Sequence, residues 1–259
     1  MRSGKRWTAS LGGIAAVLIP LAASSQTPPP PSPAAASPLD DPLRLVADAK
    51  RAYQSVQGYT CLFVKREVVN AQMQPEHVST MKVRSQPFSV YMRWQSPKAL
   101  EGQEVCYVAG RNTGMMRVHS PGLLGVVGFV NLDPRDPRAM ATSRHCITES
   151  GIGNLIDRYQ ERWTAERPLN VTPQVRIGEY EFAKRRCTRV EVSHPGSKRG
   201  DFYAYRAVLY FDKETHLPIR SEAYDWPRQG VAPDGDLLEC FSYVNLIFNV
   251  PLGDEAFNF

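Results

Sequence analysis

The stretch Val208 to Trp226 constrains the fold more than any other part of this 259-residue chain. Val208 to Phe211 reads as an apolar strand. Asp212-Lys213-Glu214-Thr215 is a polar turn, and a second strand opens at Pro218, where a missing amide hydrogen is tolerated at a strand start or a sheet edge. The second strand continues through Glu222-Ala223-Tyr224-Asp225-Trp226. A hairpin with so marked an entrance commits the C-terminal part of the chain to antiparallel β-structure.

The period-two pattern extends in both directions. Tyr59 to Val69, Val78 to Gln86, Phe88 to Gln95, Glu104 to Ala109 and Thr113 to His119 read as successive strands. After a different stretch, Gln174 to Phe182, Arg186 to Ser193, Phe202 to Phe211, Leu217 to Trp226 and Leu237 to Val250 read likewise. Short polar connections favour neighbouring antiparallel pairs.

Two segments carry a helical period instead. Asp41 and Pro42 suit a helix start, with Leu45, Ala49, Ala52, Tyr53 and Val56 on one stripe ended by Gly58. Ile152, Leu155, Ile156, Tyr159 and Trp163 form a second stripe, stopped by Pro168. The expected class is therefore α+β: a large curled antiparallel sheet of about ten strands, an incomplete β-barrel, with helices packed over its concave face.

The first 25 residues have the texture of a secretory signal peptide. Arg2, Lys5 and Arg6 precede an apolar run from Leu11 to Leu21, and small residues follow at Ala22, Ala23, Ser24 and Ser25. An uncleaved anchor is the rival, but the run is short of the roughly 20 apolar residues a span needs. Residues 26–40, with Pro28 to Pro31, Pro33 and Pro38, read as a disordered linker, and 41–259 as one domain. Localisation would be exported and periplasmic.

Removing the leader lowers the formal charge from +5 to +2, so the basic balance belongs mostly to targeting. Lys184-Arg185-Arg186 and Lys198-Arg199 lack an aromatic platform or recognition helix, and no nucleic-acid partner is expected. The five cysteines (Cys61, Cys106, Cys146, Cys187, Cys240) show no metal-ligand or Cys-x-x-Cys spacing. Four of them sit in expected strands, where a small buried hydrophobe is the ordinary reading, and their pairing stays open.

Recognised catalytic and cofactor motifs are missing: no nucleophile elbow, phosphate loop, dinucleotide fingerprint or His-Glu-x-x-His occurs. His145-Cys146 is the one local pair resembling a nucleophile and base, yet neighbours on an extended chain point apart. No catalytic residue, metal or cofactor is expected.

Large apolar side chains share strand faces at Met81 and Val83, at Phe88, Val90, Met92 and Trp94, and at Tyr203, Tyr205 and Leu209. These are ordinary core residues unless the sheet exceeds what the helices cover, in which case they line a hydrophobic cavity. Leu123 to Val130, with Leu123, Leu124, Val127 and Phe129, is either a glycine-hinged gate to that cavity or a fixed cover.

The strand, Asp212-x-x-Thr215-x-Leu217-Pro218-x-Arg220, strand pattern resembles a signature of the LolA-like superfamily of outer-membrane lipoprotein carriers. The lead helix into Gly58-Tyr59, Pro87-Phe88-x-Val90-Tyr91-Met92-Arg93-Trp94, Gly102-Gln103-Glu104-Val105, Val108-Ala109-Gly110, Arg144-His145-x-Ile147-Thr148 and Phe248-Asn249-Val250-Pro251-Leu252 together resemble the DUF1571 family. That family is similar to the LolA/LolB and MucB/RseB N-terminal folds. The resemblance implies a half-barrel with a hydrophobic cavity and a lipid or acylated lipoprotein as partner. The expected function is non-enzymatic binding of an acyl chain by a monomer. A periplasmic regulatory module binding a membrane-associated protein is the alternative, and a secreted hydrolase a more distant one.

Overall fold

The computed structural model describes residues 36–122, 128–169, 171–194, 196 and 200–258. The expected signal peptide, residues 26–35 of the expected linker, and Leu123, Leu124 and Val127 lie outside the described residues.

Helix α1 (Asp40–Tyr53) begins just after Leu39, which the sequence places in the spacer and the structure buries in the core. The Ser37 amide donates to the Asp40 carboxylate (2.9 Å), fixing the turn that delivers Leu39. Asp40 and Asp41 lie in the first turn and Lys50 and Arg51 in the last, each on the favourable end of the helix dipole.

Among the described residues, twelve strands form one open antiparallel sheet. They are β1 (Gly58–Val69), β2 (Gln72–Met73), β3 (His77–Arg84), β4 (Ser89–Ser96), β5 (Glu104–Val108), β6 (Met116–His119), β7 (Phe129–Leu132), β8 (Gln174–Phe182), β9 (Arg185–Ser193), β10 (Arg206–Asp212), β11 (Pro218–Tyr224) and β12 (Leu237–Phe248). Their order is β7-β6-β5-β4-β3-β1-β12-β11-β10-β9-β8, with β2 paired to the end of β1. Two meanders thus meet at a single distant pairing, β1 with β12, which sets Phe63 opposite Tyr243 and Glu67 opposite Glu239.

Two strands were not expected from the sequence. β2 has only two residues, too few to show a period. β7 takes Phe129 and Val130 out of the supposed gate: they pair with His119 and Val118, so these two positions belong to a rim strand. β6 starts at Met116, because Asn112 (φ 49°) and Thr113 (φ 51°) adopt left-handed conformations that no strand allows.

The opening hairpin forms as the sequence indicates. Asp212, only 2% exposed, accepts hydrogen bonds from the amides of Glu214 (3.1 Å) and Thr215 (2.8 Å) and from the Thr215 hydroxyl (2.9 Å). Arg185 of β9 closes on the same carboxylate at 2.5 and 3.1 Å. The signature residues therefore tie three strands together, and their role is architectural.

Helix α3 (Ile152–Glu166) buries the whole expected stripe, Ile152, Leu155, Ile156, Tyr159 and Trp163. Its start depends on Gly151 (φ 96°), since a Cβ there would come within 3.0 Å of the Tyr59 hydroxyl. That hydroxyl accepts the first free helical amide, from Ile152, at 2.8 Å. α1 packs on α3, and together with Met81, Val83, Val90, Val190, Leu209 and Phe241 the two helices build the main core on one sheet face.

Candidate functional site

The anticipated cavity residues divide once they are placed. Met81, Val83, Val90 and Leu209 are fully buried in the main core under α1 and α3. Phe88 packs at its margin, with its ring 6.3 Å from that of Tyr107. Phe129 lies against His119 on the β7 rim (ring centroids 5.0 Å). Tyr203 and Tyr205 precede β10. Tyr203 donates to Glu239 (2.5 Å) under the Arg162 guanidinium, while Tyr205 lies 6.4 Å from Trp226. Of the ten that are described, Met92 and Trp94 line a hollow.

The hollow, of about 340 Å³, lies on the helix-bearing face, under β4 to β7. Met92, Trp94, Val105, Met116, Val118, Val130 and Leu132 form its sheet wall. The segment 133–150, which includes the short helix α2 (Pro137–Met140), covers it with Pro134, Ala139, Met140 and Ile147. Its volume falls within the range of about 300–1,000 Å³ typical of small-molecule pockets, and its lining sets an apolar sheet wall against polar groups that include Gln103, Ser120 and Arg138. A wider groove of about 760 Å³ lies between α1, the β3–β4 turn and residues 250–253. Its charged groups are already neutralised: Lys50 meets Asp157 (2.8 Å) and Arg84 meets Asp254 (2.9 Å).

The inner end of the hollow is polar, and sequence reasoning missed it. Lys65 and Glu67 of β1 and His77 and Ser79 of β3 line it. The Lys65 ammonium donates to Glu67 (2.7 Å), to the Ser143 hydroxyl (2.5 Å) and to the Thr142 carbonyl (3.3 Å), which uses all three of its hydrogens. The Arg144 amide donates to the other Glu67 oxygen (3.3 Å). His77 Nδ1 accepts from the Trp94 indole (3.3 Å). Burial, and then the nearby Lys65 charge, push the His77 pKa down to about 4, so the ring is neutral with its proton on Nε2.

A charged clasp holds the covering segment behind this end. His145 meets Glu239 through Nε2 (2.8 Å) and Glu149 through Nδ1 (3.2 Å). Burial works against the Glu239 charge. The hydrogen bond and charge of His145, the Tyr203 hydroxyl and the Arg162 charge outweigh it and hold the carboxyl at about 2. Glu67, His145 and Glu239 bring ligand-type atoms within 4.8 Å of one another. Their oxygens already serve Lys65, Arg144 (3.4 Å from Glu239) and Tyr203, which makes the group a neutralised ion-pair network. The His145-Cys146 pair forms no nucleophile–base contact: both ring nitrogens of His145 face carboxylates, while the buried Cys146 thiol lies beside Thr148 and Glu149.

No curated protein matches the chain. Among solved structures, a DUF1329 family protein from Desulfovibrio piger is similar at 13% identity, with 86% of this chain and 98% of that one covered and a TM-score of 0.43. The lipoprotein LppX of Mycobacterium tuberculosis aligns at 12% identity over 82% of this chain and 96% of its own (TM-score 0.44). A putative outer membrane lipoprotein-sorting protein domain from Vibrio parahaemolyticus aligns at 10% identity over 83% and 95% (TM-score 0.39). Residues 56–259 match the model of the proteins of unknown function called DUF1571, and the chain belongs to that family.

Proposed function

We infer that this is an exported, non-enzymatic protein that holds a lipid, or the acyl part of a lipoprotein, in the hollow under β4 to β7. One observation carries the reading: an apolar-walled space of about 340 Å³ survives on the face that α1 and α3 otherwise fill. Burying a methylene is worth about 0.8 kcal/mol, so a stretch of roughly eight supplies on the order of 6 kcal/mol before ordering costs. No charge or catalytic group is needed for that. Export rests on the basic, apolar and small-residue succession of the first 25 residues. Among the described residues, no helix is long and apolar enough to cross a membrane.

Native mass spectrometry of the purified full chain, combined with displacement of a fluorescent acyl probe, tests the reading. A lipid-sized adduct and saturable displacement are expected. A bare mass together with no probe binding would sink it.

A protein partner is the second reading, favoured by strand β8. Among the described strands this rim strand pairs only with β9, and it presents exposed Ile177 and Tyr180. A partner drawn from membrane extracts by the native chain and lost on Ile177→Lys would support it.

A further inference from the structure

Two donors at the inner end of the hollow have no acceptor. His77 is 3% exposed and Ser79 is 2% exposed, and both line the hollow from the same face of β3. The Trp94 indole occupies His77 Nδ1, which leaves the proton on Nε2. Among the described residues, neither this Nε2–H nor the Ser79 hydroxyl makes a hydrogen bond. Neither atom is sealed in the protein: both open on the hollow, so whatever fills that space, water or a ligand oxygen, is what can accept from this adjacent pair.

The charges around them decide what kind of acceptor fits. Lys65 has no hydrogen left to give, since Glu67, Thr142 and Ser143 take all three. Arg138, at the mouth, is paired with Asp136. Glu67 is spent on Lys65 in the same way, so the pair brings no net charge to the hollow. A carboxylate entering here would be desolvated without a free cation to pair with, a costly arrangement. A neutral carbonyl oxygen would take both hydrogen bonds without adding charge.

We propose that His77 and Ser79 recognise the carbonyl of an acyl ester or amide, so that the hollow takes esterified or amide-linked chains and rejects ionised fatty acids. This rests on the reading of the hollow as an acyl site and names the ligand class for it. The low pKa of His77 agrees, because a neutral ring offers a hydrogen bond and no charge. A monoacylglycerol and an acylated lipoprotein N-terminus both present such a carbonyl beside an apolar chain.

The test compares a pyrene-tailed fatty acid with its methyl ester on the full chain in neutral buffer, where the acid is ionised. The ester is expected to bind about tenfold or more tighter, the scale of one well-made hydrogen bond plus an avoided buried charge. In His77→Phe and Ser79→Ala the ester should still bind, with the preference falling to within about twofold. Displacement by a monoacylglycerol or by an acylated cysteinyl peptide then identifies the source, and failure of both overturns the proposal. Equal binding of acid and ester, or a preference unchanged in both variants, overturns it while leaving the acyl-site reading intact. If neither probe binds, both fall. Nitrogen NMR of the native imidazole gives a check free of folding defects: the Nε2–H signal of His77 should move on adding the ester, and a fixed signal counts against the proposal.

Discussion

The two halves of the helix-bearing face solve the same problem differently. Over β9 to β12 and the near ends of β1 and β3, α3 lays down a continuous stripe from Ile152 to Trp163, and the interior is filled. Over β4 to β7 the cover is the segment 133–150, built of turns, the four-residue α2 and a 3-10 turn at Ile147–Glu149. A helix satisfies its own backbone and can devote one whole side to large apolar groups. A run of turns cannot: Asp133 and Asp136 are spent on capping nearby amides, and the apolar side chains it lowers are few. Cover of this kind leaves a gap, and the gap is where binding becomes available.

The contrast can be attacked from either side. The largest effect is expected on the filled half. Trp163→Ala removes a fully buried indole and should cost about 3–5 kcal/mol in urea unfolding. A loss under about 1 kcal/mol would mean that this half is also loosely packed.

Next comes the clasp that ties the cover down. Glu239→Gln leaves His145 and Arg144 facing a neutral group in a buried place, with an expected cost of about 3 kcal/mol. Stability within error of the native chain would show that the ion pairs do not hold the cover.

Acid should loosen the hollow half first. His77 is held near 4, below its ordinary 6.5, so the unfolded chain binds the extra proton and stability falls as pH drops from 6.5 through 4. Glu239 is held near 2 against an ordinary 4.5, so its contribution is present above 4.5 and is lost as pH falls toward 2. Hydrogen exchange should show protection lost in β1, β3 and 133–150 before β9 and β10. His77→Phe should flatten the upper part of the ramp, and an unchanged profile would break the assignment.

The smallest stability effect is the most diagnostic. Val190→Phe overpacks the filled half and should cost about 1–3 kcal/mol, whereas Val118→Phe has room and should cost less than about 1 kcal/mol. Only Val118→Phe should abolish acyl-probe binding. Equal costs would mean that the hollow is already closed.

The fold was largely legible because strand period and turn chemistry are local. Asp212, Thr215 and Pro218 mark their hairpin so clearly because each acts within a few residues of itself. The polar end of the hollow was harder to see, although its signal was present. Lys65 and Glu67 continue the inward parity of Tyr59, Cys61 and Phe63, and His77 and Ser79 share that of Met81 and Val83. Charged residues in phase with a buried face are normally read as a strand turning toward water. That Glu67 lies opposite Glu239, with His145 between them and Glu149, depends on a pairing between chain ends and on an irregular cover, and neither leaves a periodic trace.

All five thiols are buried and unpaired, from Cys61 in β1 to Cys240 in β12. Burial raises the thiol pKa of Cys61 beyond the ordinary range and that of Cys106 to about 11, which suppresses the reactive thiolate. Acquisition of shape therefore waits on no oxidant. A version without residues 1–25 made in a reducing bacterial cytoplasm is expected to reach the same architecture, which puts production and isotope labelling within ordinary means.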